Sequence, residues 1–183
     1  FGIMNNLLPS TAPHSVLFSI ARWRVPIGFV LAIIVLGQTS PTWITLAVGG
    51  GMACAGESLR VWAAGHLLKG REVTVSGPYR WCRHPLYFGS GLMGLGFVIA
   101  CGSVLVAVVV LAYLGVTLMA AILTEEAVLR ERFGNEYDRY ADGLTSNSDR
   151  RFSVDRAIDN REYRAIFGLV MVVGLLAFRI WLG

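Results

Sequence analysis

Thirteen residues, Gly77 to Gly89, hold Arg80, Arg83 and His84, the tyrosines Tyr79 and Tyr87, and the prolines Pro78 and Pro85. Guanidinium and imidazole groups at this density can hold an anionic or ionisable ligand, and the aromatic rings can stack on a flat base or face a cation. Pro85 lacks an amide hydrogen and disfavours helix for His84, so the pair predicts the start of a helix with Pro85 in its first turn. Free amides of that turn point back toward the loop and favour negative groups. A second group is Glu125-Glu126, adjacent carboxylates that are costly at the end of an apolar span unless they have partners. Glu126 lies four residues before Arg130 and can pair with it along a helix. Glu125 shares the stripe of Leu129 and Phe133 and is expected to face inward. A third group is Glu57 with Arg60, three apart on one helix face, read either as an ion pair that eases insertion or as a polar lining for a lipid head group.

These residues must be positioned by a chain of 183 residues that is 55% hydrophobic and only 15% charged. Soluble domains are nearer one quarter charged, so composition alone places the chain in the membrane class. The fold class expected is an all-α integral membrane protein of one domain, residues 1–183, with about five transmembrane helices and a cytosolic amphipathic helix. Spans are expected at about 16–36, 42–66, 85–100, 104–124 and 165–182. From Leu86 to Thr124 no charged residue occurs. As a single helix that run would be about 58 Å long against a hydrocarbon core of about 30 Å, so it must fold back, near Cys101-Gly102-Ser103. Gly37 to Pro41 is a turn signal. Gly89, Gly91, Gly94 and Gly96 permit close helix packing, and Gly49 to Gly51 are read as packing residues rather than a phosphate cradle. Leu129, Phe133, Tyr137 and Tyr140 recur at helical spacing among charges, which predicts an amphipathic helix continuing from the fourth span. Residues 142–160 read as a polar linker.

Charge sets the expected orientation. With five spans, every Lys and Arg except Arg179 falls on one side. The positive-inside rule then puts the N-terminus and the motif regions, 67–84 and 125–164, in the cytoplasm. The net charge of +4 is read as topology, and no nucleic-acid partner is expected, because the apolar spans leave no room for a basic face with exposed aromatics. The cysteines Cys54, Cys82 and Cys101 form no CxxC pattern or disulfide framework, and no metal is expected. No signal peptide is expected either, since the first apolar run lacks a cleavage site.

The run Gly77-Pro78-Tyr79, then Arg83-His84-Pro85-Leu86-Tyr87-Phe88-Gly89, then Glu125-Glu126 and Phe133-Gly134-Asn135-Glu136-Tyr137, resembles the isoprenylcysteine carboxyl methyltransferase family. Phospholipid methyltransferases share its His-Pro-x-Tyr-x-Gly and Glu-Glu elements. The resemblance covers about residues 57 to 140. It implies an integral membrane enzyme that uses S-adenosylmethionine without a Rossmann domain, and no Gly-x-Gly-x-x-Gly follows a strand here. By position it implies cofactor contacts from Arg71, Glu72, Val73 and Thr74, from Tyr79, from His84, Pro85, Leu86 and Tyr87, and from Glu125. Arg83 and His84 suit the cofactor carboxylate, and Glu125 its ammonium or ribose. In the eukaryotic carboxyl methyltransferases an arginine one turn before the first glutamate handles the substrate carboxylate; Ala121 stands there in this chain.

The expected function is methylation of a hydrophobic, lipid-like or prenylated acceptor at the cytosolic membrane face. Glu57 and Arg60 are the candidate substrate residues, and Glu126 the candidate base should the acceptor be an amine. Phospholipid amine N-methylation is the nearest alternative. A reductase of the sterol type, using NADPH, is a further one, disfavoured by Ser90 after Gly89 and by Glu125-Glu126. A non-enzymatic membrane module, in which the motif only caps helices, would tolerate substitution of His84, Tyr87 and Glu125.

Overall fold

The computed structural model describes Trp23, Ile27 and residues 37–145 and 148–182. The span expected at 16–36 lies, but for Trp23 and Ile27, outside the described residues. Among these the chain is all helical: α1 (Trp43–Ala64), a 3-10 turn (Gly77–Arg80), α2 (Pro85–Cys101), α3 (Val104–Phe133), α4 (Asn135–Ala141), α5 (Val154–Asp159) and α6 (Tyr163–Leu182).

Two of these helices, α3 and α6, are long and apolar enough to cross a membrane. Both turn large apolar side chains outward, among them Val104, Val108 and Val116 on α3 and Phe167 and Val170 on α6. That is the inverse of a soluble protein's surface and suits lipid as solvent. Among the described residues, length and composition mark two spans, and the count of five is not confirmed. Helix α2 has 17 residues, about 25 Å at 1.5 Å per residue, and the apolar run of the continuous helix α1 is broken by Glu57 and Arg60.

Helices α1 and α2 form the central pair and run antiparallel. Glycines at matching intervals let their backbones touch. A Cβ on Gly56 would lie 2.6 Å from the Gly89 carbonyl oxygen, and one on Gly89 would lie 2.7 Å from that of Gly56. Gly49 and Gly96 are related in the same way two turns further along. A Cβ on Gly50 or Gly51 would meet no described residue within 4 Å, so among the described contacts it is Gly49 of that triplet that packs. Replacing Gly89 by Val is therefore expected to force the pair apart and cost about 1–3 kcal/mol. A thermal midpoint in detergent equal to the wild type would count against this close packing.

At the end of the bundle where the α2–α3 turn lies, Leu46, Cys101, Val106, Val110 and Leu176 pack into an apolar cluster. Gly102 closes α2 there with φ of +63°, and Ser103 caps α3 through its hydroxyl. Arg179 donates to the carbonyls of Thr39 and Gly37 at the same end, at 3.0 and 3.3 Å. The polar groups gather at the opposite end.

The segment expected to be one amphipathic helix is two. Helix α3 continues unbroken past the apolar run to Phe133, and Gly134, at φ of +48°, turns the chain into α4. The expected polar linker is also structured. The last carbonyls of a helix have no partner within it, and at the end of α1 this segment supplies them. Arg156 Nε donates to the Gly65 carbonyl at 2.7 Å, Asn160 Nδ2 to those of Ala64 and Leu67 at 2.9 and 3.1 Å, and the Ser153 amide to Gly65 at 3.1 Å. Helix α5 lies within it, its first turn capped by Ser153.

Candidate functional site

His84 is the N-cap of α2 and Pro85 its first residue, as the dipeptide predicts. The amides of Tyr87 and Phe88 both donate to the His84 carbonyl, at 3.1 and 3.0 Å. The first turn is thus closed on itself, and Leu86 is left to offer an amide at this end. Gly77, at φ of +58°, opens the 3-10 turn, and a side chain there would run into the His66 ring. That ring is buried, with Nδ1 3.0 Å from the Trp62 carbonyl.

The two charged motifs, 42 residues apart, meet. His84 Nε2 lies 2.9 Å from Glu126 Oε1. Glu126 also pairs with Arg130, four residues on, at 3.3 Å, and lies 3.9 Å from Arg83. Both oxygens of its carboxylate therefore face a cationic or imidazole partner. Glu125, one residue back, is half-buried and makes no hydrogen bond or ion pair with a described residue. Its charge is felt at the Tyr79 phenol. One of the two adjacent carboxylates is structural, and the other is free to meet a ligand.

Around them the 73–79 loop and α4 close in. Tyr79 is buried, and Tyr140 donates from its hydroxyl to the Tyr79 carbonyl at 2.8 Å. Burial pushes both phenols well above their ordinary range, so they act only in the protonated form. Tyr137 is 1% exposed, with the Arg130 guanidinium 5.5 Å from its ring centre. Among the described residues its hydroxyl has no hydrogen-bond partner, nor have the buried hydroxyls of Thr74 and Ser76. Orphaned buried polar atoms are uncommon in folded proteins, and three stand in the loop and helix that flank Glu125. A ligand rich in hydroxyl, amine and carboxylate groups fits such a lining.

The sequence-derived residues divide accordingly. His84, Arg83 and Glu126 are joined directly, and Tyr87 lies beside His84 with ring centres 6.0 Å apart. Val73 and Thr74 are buried in the loop. Arg71 is exposed, and Glu72 pairs with Arg150 of the C-terminal segment. Glu57 and Arg60 form a separate layer along α1, described below. Sequence reasoning passed over Tyr137, Tyr140 and Ser76 as site residues. Tyr137 enters the sequence reading through the apolar stripe and the Phe133–Tyr137 motif, Tyr140 through the stripe alone, neither as a ligand contact, and a lone serine gives no signal of being buried without a partner.

Arg60 does not stand free. Its Nη2 donates to both oxygens of Glu162, at 3.0 and 2.8 Å, and Nη1 bonds the Ser90 hydroxyl. Glu162 is 6% exposed and directly precedes α6. It was not a sequence candidate because nothing local ties it to a residue 102 positions earlier. Ala121, where the carboxyl methyltransferases have their arginine, is buried in α3. Among the described residues no three His, Cys, Asp or Glu side chains gather as a metal site.

The chain is 35% identical over 134 residues to the nickel-cobalt-cadmium resistance protein NccN of Alcaligenes xylosoxydans xylosoxydans, covering 67% of this chain and 60% of that one. It is 36% identical over 134 residues to the cobalt-zinc-cadmium resistance protein CzcN of Cupriavidus metallidurans strain CH34, covering 67% and 59%. The chain thus spans about three fifths of the length of these relatives. No solved structure matches it significantly. The phospholipid methyltransferase family model matches residues 27–136. That stretch is more than half of the chain and holds both partners of the His84–Glu126 pair, and the chain therefore belongs to the phospholipid methyltransferase family, a membership that supports S-adenosylmethionine as cofactor and methyl transfer as the reaction.

Proposed function

We propose that this protein is an integral-membrane methyltransferase that moves the methyl group of S-adenosylmethionine to a lipid-like amine. The family match carries the reading. The amine is preferred over a carboxylate because the arginine expected to hold a carboxylate has no counterpart. Position 121 is alanine, and the guanidinium of Arg60 is taken by Glu162 and Ser90.

The cofactor supplies a methyl group on a sulfonium centre. In this reading Glu125 holds its cationic part, the ammonium or the sulfonium, by charge. Arg83, half exposed at the mouth, and the Leu86 amide meet its carboxylate. The hydroxyls of Thr74, Ser76 and Tyr137 take its ribose or adenine polar atoms, and Tyr79 and Tyr87 provide ring faces. Arg71, Glu72 and Val73 shape the loop around it. Methyl transfer is an in-line displacement, so alignment and exclusion of water supply most of the rate enhancement.

An amine acceptor must lose a proton. Glu126, the base expected from the sequence, is hydrogen-bonded to His84 and ion-paired with Arg130 and Arg83, partners that hold it in its charged form. A better division of labour has Glu126 orient His84. With Nε2–H donated to the carboxylate, Nδ1 carries the lone pair and can accept the proton. The topology proposed from charge, with both motifs on the cytosolic face, lets a water-soluble cofactor reach this end while the acceptor arrives from the bilayer.

Titrating the detergent-purified protein with S-adenosylmethionine, S-adenosylhomocysteine and NADPH tests the class. Both adenosyl compounds are expected to bind, and NADPH is not. NADPH binding alone would replace this reading with a reductase. Methyl-labelled cofactor and membrane lipid then separate the acceptors. Base-stable label on a lipid head group is expected, and base-labile methyl ester would return the acceptor to a carboxylate.

A further inference from the structure

Between α1 and α6 lies an apolar cleft of about 560 Å³. Its walls include Val61 and Trp62 from one helix and Ile166, Leu169 and Val170 from the other. The size is that of a small-molecule site, and Ile166 and Val170 are exposed on the outward, lipid-facing side of α6. Glu57 also lines the cleft, and it is 5% exposed. Neither of its carboxylate oxygens accepts a hydrogen bond from a described residue. Among the described residues its ion-pair partner is Arg60, with Nε at 3.4 Å, and the remaining nitrogens of that guanidinium are committed to Glu162, Ser90 and the Leu86 carbonyl. Two buried carboxylates therefore share one guanidinium, and the one in excess faces an apolar cleft. An uncompensated charge in such surroundings is costly. A cationic head group above Glu57 would balance the layer, whereas a carboxylate would add a third anion to it.

We propose that this cleft binds a lipophilic amine, with its hydrocarbon chain between α1 and α6 and its ammonium on Glu57. The inference rests on the methyltransferase reading and names where its acceptor is held. Arg60 links the two places, since it reaches Leu86 and Ser90 on α2, the helix that starts at His84. Glu162 fastens the start of α6 to Arg60, and the α6 wall of the cleft belongs to the C-terminal segment, which lies outside the family match at 27–136.

The test uses the full chain in a maltoside detergent, with dodecylamine and dodecanoate as probes and native mass spectrometry as the readout. Dodecylamine is expected to bind at least tenfold more tightly than dodecanoate. Glu57→Gln should remove that preference while S-adenosylhomocysteine still binds. Val170→Trp, an exposed position that tolerates bulk, should fill the cleft and lower dodecylamine binding even if Glu57→Gln does not fold. Equal or tighter binding of dodecanoate by the wild type overturns the proposal. So does an amine preference that survives in Glu57→Gln, or dodecylamine binding untouched by Val170→Trp. Failure of the wild type to bind S-adenosylhomocysteine overturns the methyltransferase reading instead, and the probe comparison then still decides the cleft.

Discussion

Replacing Glu125 by glutamine is expected to weaken S-adenosylmethionine binding by about tenfold to a hundredfold, the worth of one hydrogen bond to a charged group. The fold should be unaffected, because Glu125 makes no hydrogen bond or ion pair with any described residue. Comparing the two adenosyl compounds locates the contact. If the carboxylate holds the ammonium of the amino-acid part, S-adenosylhomocysteine loses affinity equally. If it faces the sulfonium, only S-adenosylmethionine does. Replacing Glu126 should behave differently, since its loss leaves His84, Arg83 and Arg130 without their shared anion. That variant is expected to lose thermal stability as well as binding. Unchanged affinity in Glu125→Gln, in folded protein, would remove Glu125 from the site.

The second large effect concerns the clamp on α1. Arg60→Ala leaves Glu57 and Glu162 buried with no cation between them. Removing one partner of a buried ion pair costs about 3–5 kcal/mol, and the lower end applies because Arg60 keeps some solvent contact. Glu162 joins α6 to α1 and α2, so the loss should appear as earlier proteolysis of the C-terminal segment as well as a lower thermal midpoint. A double-mutant cycle with Glu162→Leu should return part of the loss, because the uncompensated charge is then halved. A midpoint drop of less than about 1 kcal/mol equivalent for Arg60→Ala would show that the pair is weak, as surface pairs are.

Both experiments probe contacts that differ in how far local sequence could announce them. The His84-Pro85 dipeptide marks a helix start because proline restricts its neighbour, whatever surrounds it. The uncharged run ending at Thr124 has to fold back, and Gly102 is where the chain can reverse. The Glu126–Arg130 pair follows from helical spacing alone. Each of these is written within a few residues, and each is present in the structure. Gly134 is a local signal that periodicity hides: its neighbours keep helical spacing, but its positive φ ends α3 there.

What only the tertiary structure decides is which ends of which helices share a layer. That His84 rather than Arg130 alone holds Glu126, that Glu162 claims Arg60, and that Arg156 and Asn160 complete the end of α1 are contacts over 42, 102 and about 90 residues of chain. Periodicity says which face of a helix is apolar, not which neighbour covers it. The sequence by itself determined a membrane protein with a polar motif at helix ends and the residue types of a methyltransferase. Packing decided that one carboxylate of the Glu125-Glu126 pair is consumed by structure and the other left free, and that Glu57 is left in excess beside an apolar cleft. The physical reason is that charge balance in a low-dielectric layer is a property of the assembled ends, fixed only when the helices that bring the charges together have docked.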